Sequence, residues 1–502
     1  MKESAQTQRD AATIAVGGSI AFIGRICTMA LSYVLAVILA RGLGASDYGL
    51  YVVGFSLVNL IGSLALLGLN RGVVRFIAMY RGMEDRSRVK GTIWVAVGLV
   101  VLTGILAAVL VTLFAEPLMR LLRAPAAFRQ YLGDFAWWIP VWALTLTVAA
   151  TVEALKRLEI RTAIVDIGAP VLRVLFTGAV LLIGARLSGV VWANVAAGVI
   201  ALLAIGASAY RLFRPQLKGV PALLPAREIL AFSLPVMLFN LLSLSQNQVE
   251  VYLLTAMQSS EATGIFNVAS RTSVLIVAFL EGLGYIFSPF ISDLSNRQEM
   301  SQLQELVSTV TRWSFMIGLP IALVLILFNQ PILRIFGTSF QQAVPALAVL
   351  ALGQLINAAT GPVGIILTMS GHPKVNLIDS ILTLILNVVL DLLLIPRLGI
   401  LGAAIGSSIA IGLVNILRTI QVYWILKVWA YDWRFLKPVA AAAAAGGAAY
   451  LLIARGLGSE WLTFGVGLAL FGVVYAGGIL LLGLSESDML VLRNLQARVR
   501  GN

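Results

Sequence analysis

The sequence contains very little cysteine, histidine or charge. Its 502 residues include one cysteine, Cys27, and one histidine, His372. A single cysteine excludes an intrachain disulfide, and without a histidine–cysteine cluster we predict no metal site and no metal-dependent chemistry. Charged residues make up 12% of the chain, about half of the roughly 25% that is usual in soluble domains. The composition therefore argues against a soluble domain, and we expect no cofactor.

Long apolar runs occupy most of the remaining sequence. The chain is 59% hydrophobic, with a mean hydropathy of +0.94. Runs of 18 or more apolar residues recur along it, and each is long enough to cross about 30 Å of hydrocarbon. We predict an all-α polytopic membrane protein with about 14 transmembrane helices. The predicted spans are 13–40, 48–69, 91–115, 130–152, 161–184, 187–210, 229–256, 262–289, 308–328, 343–369, 375–395, 400–426, 435–454 and 461–483.

The positive charge is distributed unevenly between the connectors. The net charge is +13. Lysine and arginine in the N-terminal segment and the even-numbered connectors outnumber those in the odd-numbered connectors by about three to one, as the positive-inside rule requires of cytoplasmic loops. We therefore predict that both termini are cytoplasmic. The excess of lysine and arginine therefore indicates the orientation of the chain in the membrane rather than binding to nucleic acid.

An internal repeat divides the predicted helices into two sets. The segment SDYGLYVV (46–53) resembles SEATGIFNV (260–268), and a later match aligns Asp166 with Asp379. Repeats of about six spans predict two six-helix lobes with a binding site between them. The predicted domains are an N-lobe (1–210), a basic cytoplasmic linker (211–228), a C-lobe (229–427), two C-terminal helices outside the repeat (428–484) and a cytoplasmic tail (485–502).

Four arginines lie inside predicted spans: Arg25, Arg173, Arg271 and Arg418. A charged side chain at bilayer depth costs at least about 2.5 kcal/mol on insertion scales, so such residues usually face a polar cavity or a partner. The guanidinium fork matches phosphate oxygens. The spans show neither a nucleophile nor paired catalytic carboxylates, so the pattern indicates anion binding rather than catalysis.

Polar residues on neighbouring spans extend the set of candidates. Candidate substrate-binding residues are Arg25, Arg271, Asn59, Asn247 and Arg173. The acidic residues Glu250, Glu281 and Asp166 are candidates for counter-ions or for coupling a proton, and structural pairing is the commoner outcome for such groups.

Structural roles remain open as alternatives at several of these positions. Serine and threonine stripes on the spans are typical of interhelical hydrogen bonds, worth about 0.6 kcal/mol each. Asp166 precedes Arg173 by seven residues on the same helix face, so it can neutralise that arginine. Arg418 lies nearer the cytoplasmic end of its span, where its side chain can extend to the headgroups.

Three stretches carry a resemblance to a known family. They are LARGLGASDYGLYVV and its continuation (39–78), SSEATGIFNVASR (259–271) and SGHPKVNLIDSILTLILNVV with its continuation (370–410). They resemble the polysaccharide transporter family, the Wzx-type O-antigen flippase branch of the multidrug/oligosaccharidyl-lipid/polysaccharide exporter superfamily. The likeness extends over the whole chain.

This resemblance implies a transporter, not an enzyme, in the cytoplasmic (inner) membrane. The implied substrate is a polyprenyl-pyrophosphate-linked oligosaccharide, either an O-antigen or another surface polysaccharide unit, moved outward through a V-shaped cavity that alternates its opening. Membrane lipids, a glycan polymerase and glycosyltransferases are the implied partners of a monomer. The related lipid II flippases place pyrophosphate-binding arginines on helices one and eight, which implies that role for Arg25 and Arg271. Asp47 resembles an acidic position in their gating loop.

Two other classes of protein remain as alternatives. A multidrug or cation exporter of the same superfamily usually has twelve spans and an acidic cavity, and Arg25 and Arg271 would repel cationic drugs. A membrane glycosyltransferase or polymerase would need a catalytic acid or base near a sizeable outer loop. The longest plausible outer connector here, 116–130, is short.

Overall fold

A computed structural model of the protein describes residues 2–123 and 128–482. The predicted tail 485–502 lies outside these ranges. Side chains are described except for residues 2–23, Leu121, Ser243, Asn247, Phe279, Glu281, Tyr285 and Ile286. The helices are α1 (Lys2–Ala65), α2 (Leu69–Gly82), α3 (Arg86–Leu113), α4 (Ala115–Leu122), α5 (Phe128–Ala154), α6 (Leu158–Arg161), α7 (Ala169–Leu182), α8 (Leu187–Leu217), α9 (Ala226–Met257), α10 (Ser260–Ser273), α11 (Ala278–Asn296), α12 (Met300–Leu327), α13 (Asn329–Arg334), α14 (Val344–Thr360), α15 (Val363–Met369), α16 (Pro373–Leu398), α17 (Ile400–Leu426), α18 (Leu436–Arg455) and α19 (Glu460–Leu482).

The predicted fold class is confirmed. The described residues form helices and turns without a β-strand, and twelve of their helical segments are long and apolar enough to cross a membrane. The difference from about 14 spans has local causes. The first two predicted spans are continuous in α1, and predicted span eight is divided between α10 and α11 by a 3₁₀ turn, Val274–Ile276.

The predicted loop after the first span is a kink inside α1. Gly44 has φ 75° and ψ 173°, a conformation that only glycine adopts readily. Asp47 was expected in a turn between two spans, but it lies in the helix just after this kink. A single glycine redirects the chain, so no longer connector is needed.

The chain divides into two compact units, residues 1–267 and 268–502. The first contains α1 to α9 and the beginning of α10. One of its apolar clusters joins α2, α3 and α5 through buried side chains that include Val73, Ile77, Val100 and Ala150. By its packing α9 belongs to this unit, and the predicted lobe boundaries around 211–228 stay a prediction.

The two halves of the first sequence repeat meet inside the first unit. A Cβ atom placed on Gly49 of α1 would lie 1.7 Å from the carbonyl oxygen of Ser260, and one placed on Gly264 of α10 would lie 2.9 Å from the backbone nitrogen of Gly49. The Tyr48 hydroxyl donates a hydrogen bond to Asn267 Oδ1 at 2.8 Å. Backbones approach this closely only where small residues form the contact.

The second unit contains the predicted extra helices, α18 and α19. Ala445 and Ala449 of α18 lie in one apolar cluster with Ala322, Leu325 and other residues of α12. The alanine- and glycine-rich run of α18 therefore packs closely, as its composition predicts.

Candidate functional site

The first unit holds a cavity of about 170 Å³ that is lined in part by Arg173, a partly buried arginine of α7. The lining comes from α1, α5, α7 and α8 and from the π-helical turn before α7. Its polar and aromatic members are Thr28, Ser32, Trp138, Trp142, Thr145 and Arg173. The guanidinium carbon of Arg173 lies 5.2 Å from the centroid of the Trp138 ring. Within the described part of the chain, no carboxylate forms an ion pair with this arginine.

Helix α5 holds Trp138 in a cluster of aromatic rings. Trp138 is fully buried. Its ring centroid lies 5.2 Å from that of Phe55 and 6.4 Å from that of Phe135. A cation over an indole ring is the strongest form of the cation–π contact, so Trp138 stabilises the charge of Arg173. Trp138 is not among the residues that the sequence predicts for the site. Tryptophan in membrane helices is enriched near the two interfaces. A tryptophan inside a predicted span is therefore unusual, and this position could have marked Trp138 as a candidate.

Proline determines how α1 contacts the segment before α7. Thr162–Gly168 form a π-helical turn, and Pro170 follows in the first turn of α7. Proline has no N–H, so it cannot donate to the carbonyl of Asp166 four residues earlier. The single hydroxyl hydrogen of Thr28 on α1 is shared between that carbonyl and Gly24 O, 2.8 Å away. Membrane helices commonly tolerate proline through such a hydroxyl from a neighbour.

The expected neutralisation of Arg173 by Asp166 is not found. Asp166 Oδ1 lies 4.0 Å from Arg161, and Arg161 also lies 3.5 Å from a carboxylate oxygen of Glu153. The physical reason is the π-helical turn, which contains one more residue than an α-helical turn and rotates the residues that follow it. The seven-residue spacing that aligns two side chains on a regular helix no longer does so here.

The other predicted residues of the first unit are spread along α1 and α9. Arg25 is exposed on α1, and Asp47 is partly buried. Asn59 donates its side-chain amide to Phe55 O at 2.9 Å, within its own helix. Glu250 on α9 is buried, with 8% of its surface exposed. None of these residues lines the cavity beside Arg173.

Three other residues were predicted for the site: Arg271, Asn247 and Glu281. Arg271 is partly buried in the last turn of α10. Asn247 lies on α9 and Glu281 on α11, but their side chains are outside the described part of the structure. Their roles stay predictions.

The interpretation of Arg418 as extending to the headgroups is wrong. Its Nε lies 3.7 Å from Asp379 Oδ2, and the two side chains are 17% and 2% exposed. Arg418 also donates to Ser380 Oγ at 3.1 Å, and Gln421 donates to Asp379 Oδ1 at 3.0 Å. The position of Arg418 in the sequence indicates how deep it lies in the membrane. It does not indicate that Asp379 of α16 lies beside it.

Comparison with known proteins identifies the family. A model of the family described as polysaccharide biosynthesis protein matches residues 14–295, more than half of the chain. The chain belongs to the polysaccharide biosynthesis protein family. A second family model, MatE, matches residues 235–393.

Two relatives of this polysaccharide biosynthesis protein match most of its length. A protein of Haloferax volcanii named as a low-salt glycan biosynthesis flippase is 22% identical, with 79% of this chain and 81% of the relative covered. A protein of Shigella flexneri named as an O-antigen transporter is 23% identical, with 77% of this chain and 91% of the relative covered.

A solved structure shares the fold. The lipid II flippase MurJ in an inward closed conformation is 15% identical, with 96% of this chain and 99% of MurJ covered and a TM-score of 0.73. At this identity the likeness concerns the fold alone. The family match and the two relatives show that this chain is a multi-pass membrane transporter rather than an enzyme.

Proposed function

We propose that this protein is a flippase for a polyprenyl-pyrophosphate-linked oligosaccharide, either an O-antigen or another surface polysaccharide unit. It moves this substrate from the cytoplasmic to the outer leaflet of the cytoplasmic membrane by alternating access. Both termini and the even-numbered connectors lie on the cytoplasmic side, where lysine and arginine are concentrated. Membrane lipids, glycosyltransferases and a glycan polymerase are its proposed partners, and it acts as a monomer.

The family match, combined with arginines in membrane-spanning helices, carries this proposal. Two relatives that match most of the chain are named as a flippase and an O-antigen transporter. Arginine at membrane depth is rare and marks substrate pathways, and its fork of donors suits the oxygens of a pyrophosphate. Arg25 and Arg271 are the proposed ligands of the pyrophosphate, because they match the positions of the pyrophosphate-binding arginines that the resemblance to lipid II flippases implies. Asn59 and Asn247 are proposed as further contacts to the substrate.

Replacement of either proposed ligand tests the assignment. Losing a charge-assisted hydrogen bond to phosphate costs about 1.5–3 kcal/mol, so Arg25→Ala and Arg271→Ala should each lower flipping by about tenfold or more. Both variants should reach the membrane in normal amounts. Flipping is measured in proteoliposomes that contain a polyprenyl-pyrophosphate-linked oligosaccharide, and export is measured as glycan at the cell surface.

Arg186→Ala is the matched control. Arg186 is an exposed arginine between α7 and α8, so its loss removes the same charge outside the membrane spans. It should flip substrate like the unmodified protein. Normal glycan export by both Arg25→Ala and Arg271→Ala would overturn the assignment of these residues.

The MatE match over residues 235–393 favours a second candidate function, export of drugs or other organic cations. The two candidates differ in the charge of the transported group. A cation exporter should confer resistance to cationic drugs when expressed in a sensitive host, and arginine replacement in its cavity should not reduce that resistance. Drug resistance without glycan export would favour this alternative over the flippase.

A further inference from the structure

Two buried donors beside the cavity of the first unit have no acceptor. Arg173 Nε and the indole Nε1 of Trp138 are both inaccessible to solvent and form no hydrogen bond. Both residues line the cavity. Gly198 lines it too, and a Cβ placed there would lie 3.9 Å from Trp138 Nε1. The indole Nε1 therefore lies near Gly198, a residue of the cavity lining, and the ring that carries it contacts the guanidinium.

Arg418 and Trp192 differ from this pair. Trp192 donates its indole N–H to Asp134 Oδ1 at 2.9 Å. Arg418 Nε also has no hydrogen-bond acceptor, but Asp379 Oδ2 lies 3.7 Å away and balances the charge of Arg418. The great majority of buried polar groups in proteins are hydrogen-bonded, so an exception needs an explanation such as an absent ion or water. Here two donors without an acceptor belong to residues that line one cavity, and one of these residues, Arg173, is positively charged.

The cavity itself supplies no negative charge. None of the described residues that line it is an aspartate or a glutamate. The hydroxyl of Thr145 already donates to Val141 O at 2.7 Å, and that of Thr28 donates to Gly24 O and Asp166 O. Trp138 offers its ring face to the guanidinium at 5.2 Å, but this contact uses neither unpaired N–H group.

We propose that this cavity binds a small inorganic monoanion of the halide type, held by the guanidinium of Arg173 and the indole N–H of Trp138. One monovalent anion balances the single positive charge among the residues that line the cavity, whereas a phosphate dianion would leave excess negative charge at membrane depth. A cavity of about 170 Å³ accommodates such an anion with some water but not a lipid-linked oligosaccharide. The site is independent of the proposed flippase function and reassigns Arg173 from the substrate to a bound ion.

Halide binding is measurable on the purified full chain in detergent micelles. Sodium chloride is titrated against sodium gluconate at constant ionic strength, and the apparent melting temperature is followed. A ligand that binds only the folded state raises this temperature with a saturable dependence on its concentration. Sodium iodide provides a second readout, because iodide bound near Trp138 should quench a saturable part of the tryptophan fluorescence.

Three variants assign the effect to the cavity. Arg173→Gln should abolish the chloride-dependent shift and the saturable quenching, although Trp138 is still present. Trp138→Phe keeps an aromatic ring but loses the N–H, so the apparent affinity for chloride should fall about tenfold, the size expected for one hydrogen bond to a charged group. Thr112→Val removes a hydroxyl of α3 that is bonded within its own helix, to Ala108 O at 2.9 Å, and lies outside the cavity lining; this variant should bind chloride like the unmodified protein.

Several outcomes would overturn the proposal. Equal melting temperatures in chloride and gluconate would mean that the cavity holds water only. A shift that persists in Arg173→Gln but disappears in Arg25→Ala would place halide binding at the other arginine. Chloride binding by Trp138→Phe with unchanged affinity would remove the indole from the site, even if Arg173→Gln failed to fold.

Discussion

Replacing Gly49 with alanine tests the contact between the two halves of the repeat. The added Cβ would lie 1.7 Å from Ser260 O, whereas real Cβ atoms essentially never approach within 3.0 Å of such an atom. The backbones of α1 and α10 would therefore have to move apart by more than about 1 Å. Overpacking of this kind typically costs about 1–3 kcal/mol, and the atom that blocks the new methyl group belongs to rigid backbone.

The overpacking strain is expected at the upper end of that range, because rigid backbone blocks the new methyl group. Alanine gains about 1 kcal/mol over glycine in helix propensity, which offsets only part of the strain, so Gly49→Ala should lose about 2 kcal/mol. Gly264→Ala should lose less, because its Cβ would lie 2.5 Å from Ala45 O. Gly178→Ala is the matched control, a helical glycine with no atom within 4 Å of the added Cβ.

The assay is thermal unfolding of the three variants in detergent at one scan rate, since unfolding of such proteins is often irreversible and scan-rate dependent. The apparent melting temperature should be lowest for Gly49→Ala, intermediate for Gly264→Ala and unchanged or raised for Gly178→Ala. If Gly49→Ala melts together with Gly178→Ala, the backbone contact between α1 and α10 is not as close as described.

The remaining predictions concern buried charges. If Glu250 couples transport to a proton, Glu250→Gln should flatten the pH dependence of flipping in proteoliposomes. Glu261→Gln is the control, at an exposed position, and should leave the pH dependence intact. An unchanged pH profile in Glu250→Gln would indicate a structural role for Glu250. Arg418→Ala should lower stability by about 3–5 kcal/mol because it leaves a buried carboxylate unpaired, and adding Asp379→Asn should restore much of the loss. No recovery in that double variant, measured as apparent melting temperature, would contradict the ion pair.

The fold class could be predicted because it depends on local properties of the sequence. Apolar runs longer than 18 residues indicate membrane-spanning helices directly. Similarity between 46–53 and 260–268 indicated that these segments are equivalent. It did not indicate that they touch, because contact depends on how the helices pack and not on their likeness.

The candidate site could be predicted only in part. A charge within an apolar run is visible in the sequence, so Arg173 and Arg418 were recognised as unusual. Their partners were not. The pairing of Asp166 with Arg173 assumed regular helical spacing, which the π-helical turn before Pro170 removes. The sequence does not distinguish Trp138 as a site residue, because an aromatic residue in a membrane span is most often part of the packing.

The sequence by itself determined that this chain spans the membrane many times, that its helices repeat and that arginine lies among them. Each of these properties follows from the free energy of placing side chains in hydrocarbon, which depends on residue type and order along one helix. Only the tertiary structure decided that Asp379 neutralises Arg418, and that Arg173 faces an indole ring and a cavity. Contacts between helices depend on rotation and register, and one proline or one additional residue in a turn changes both.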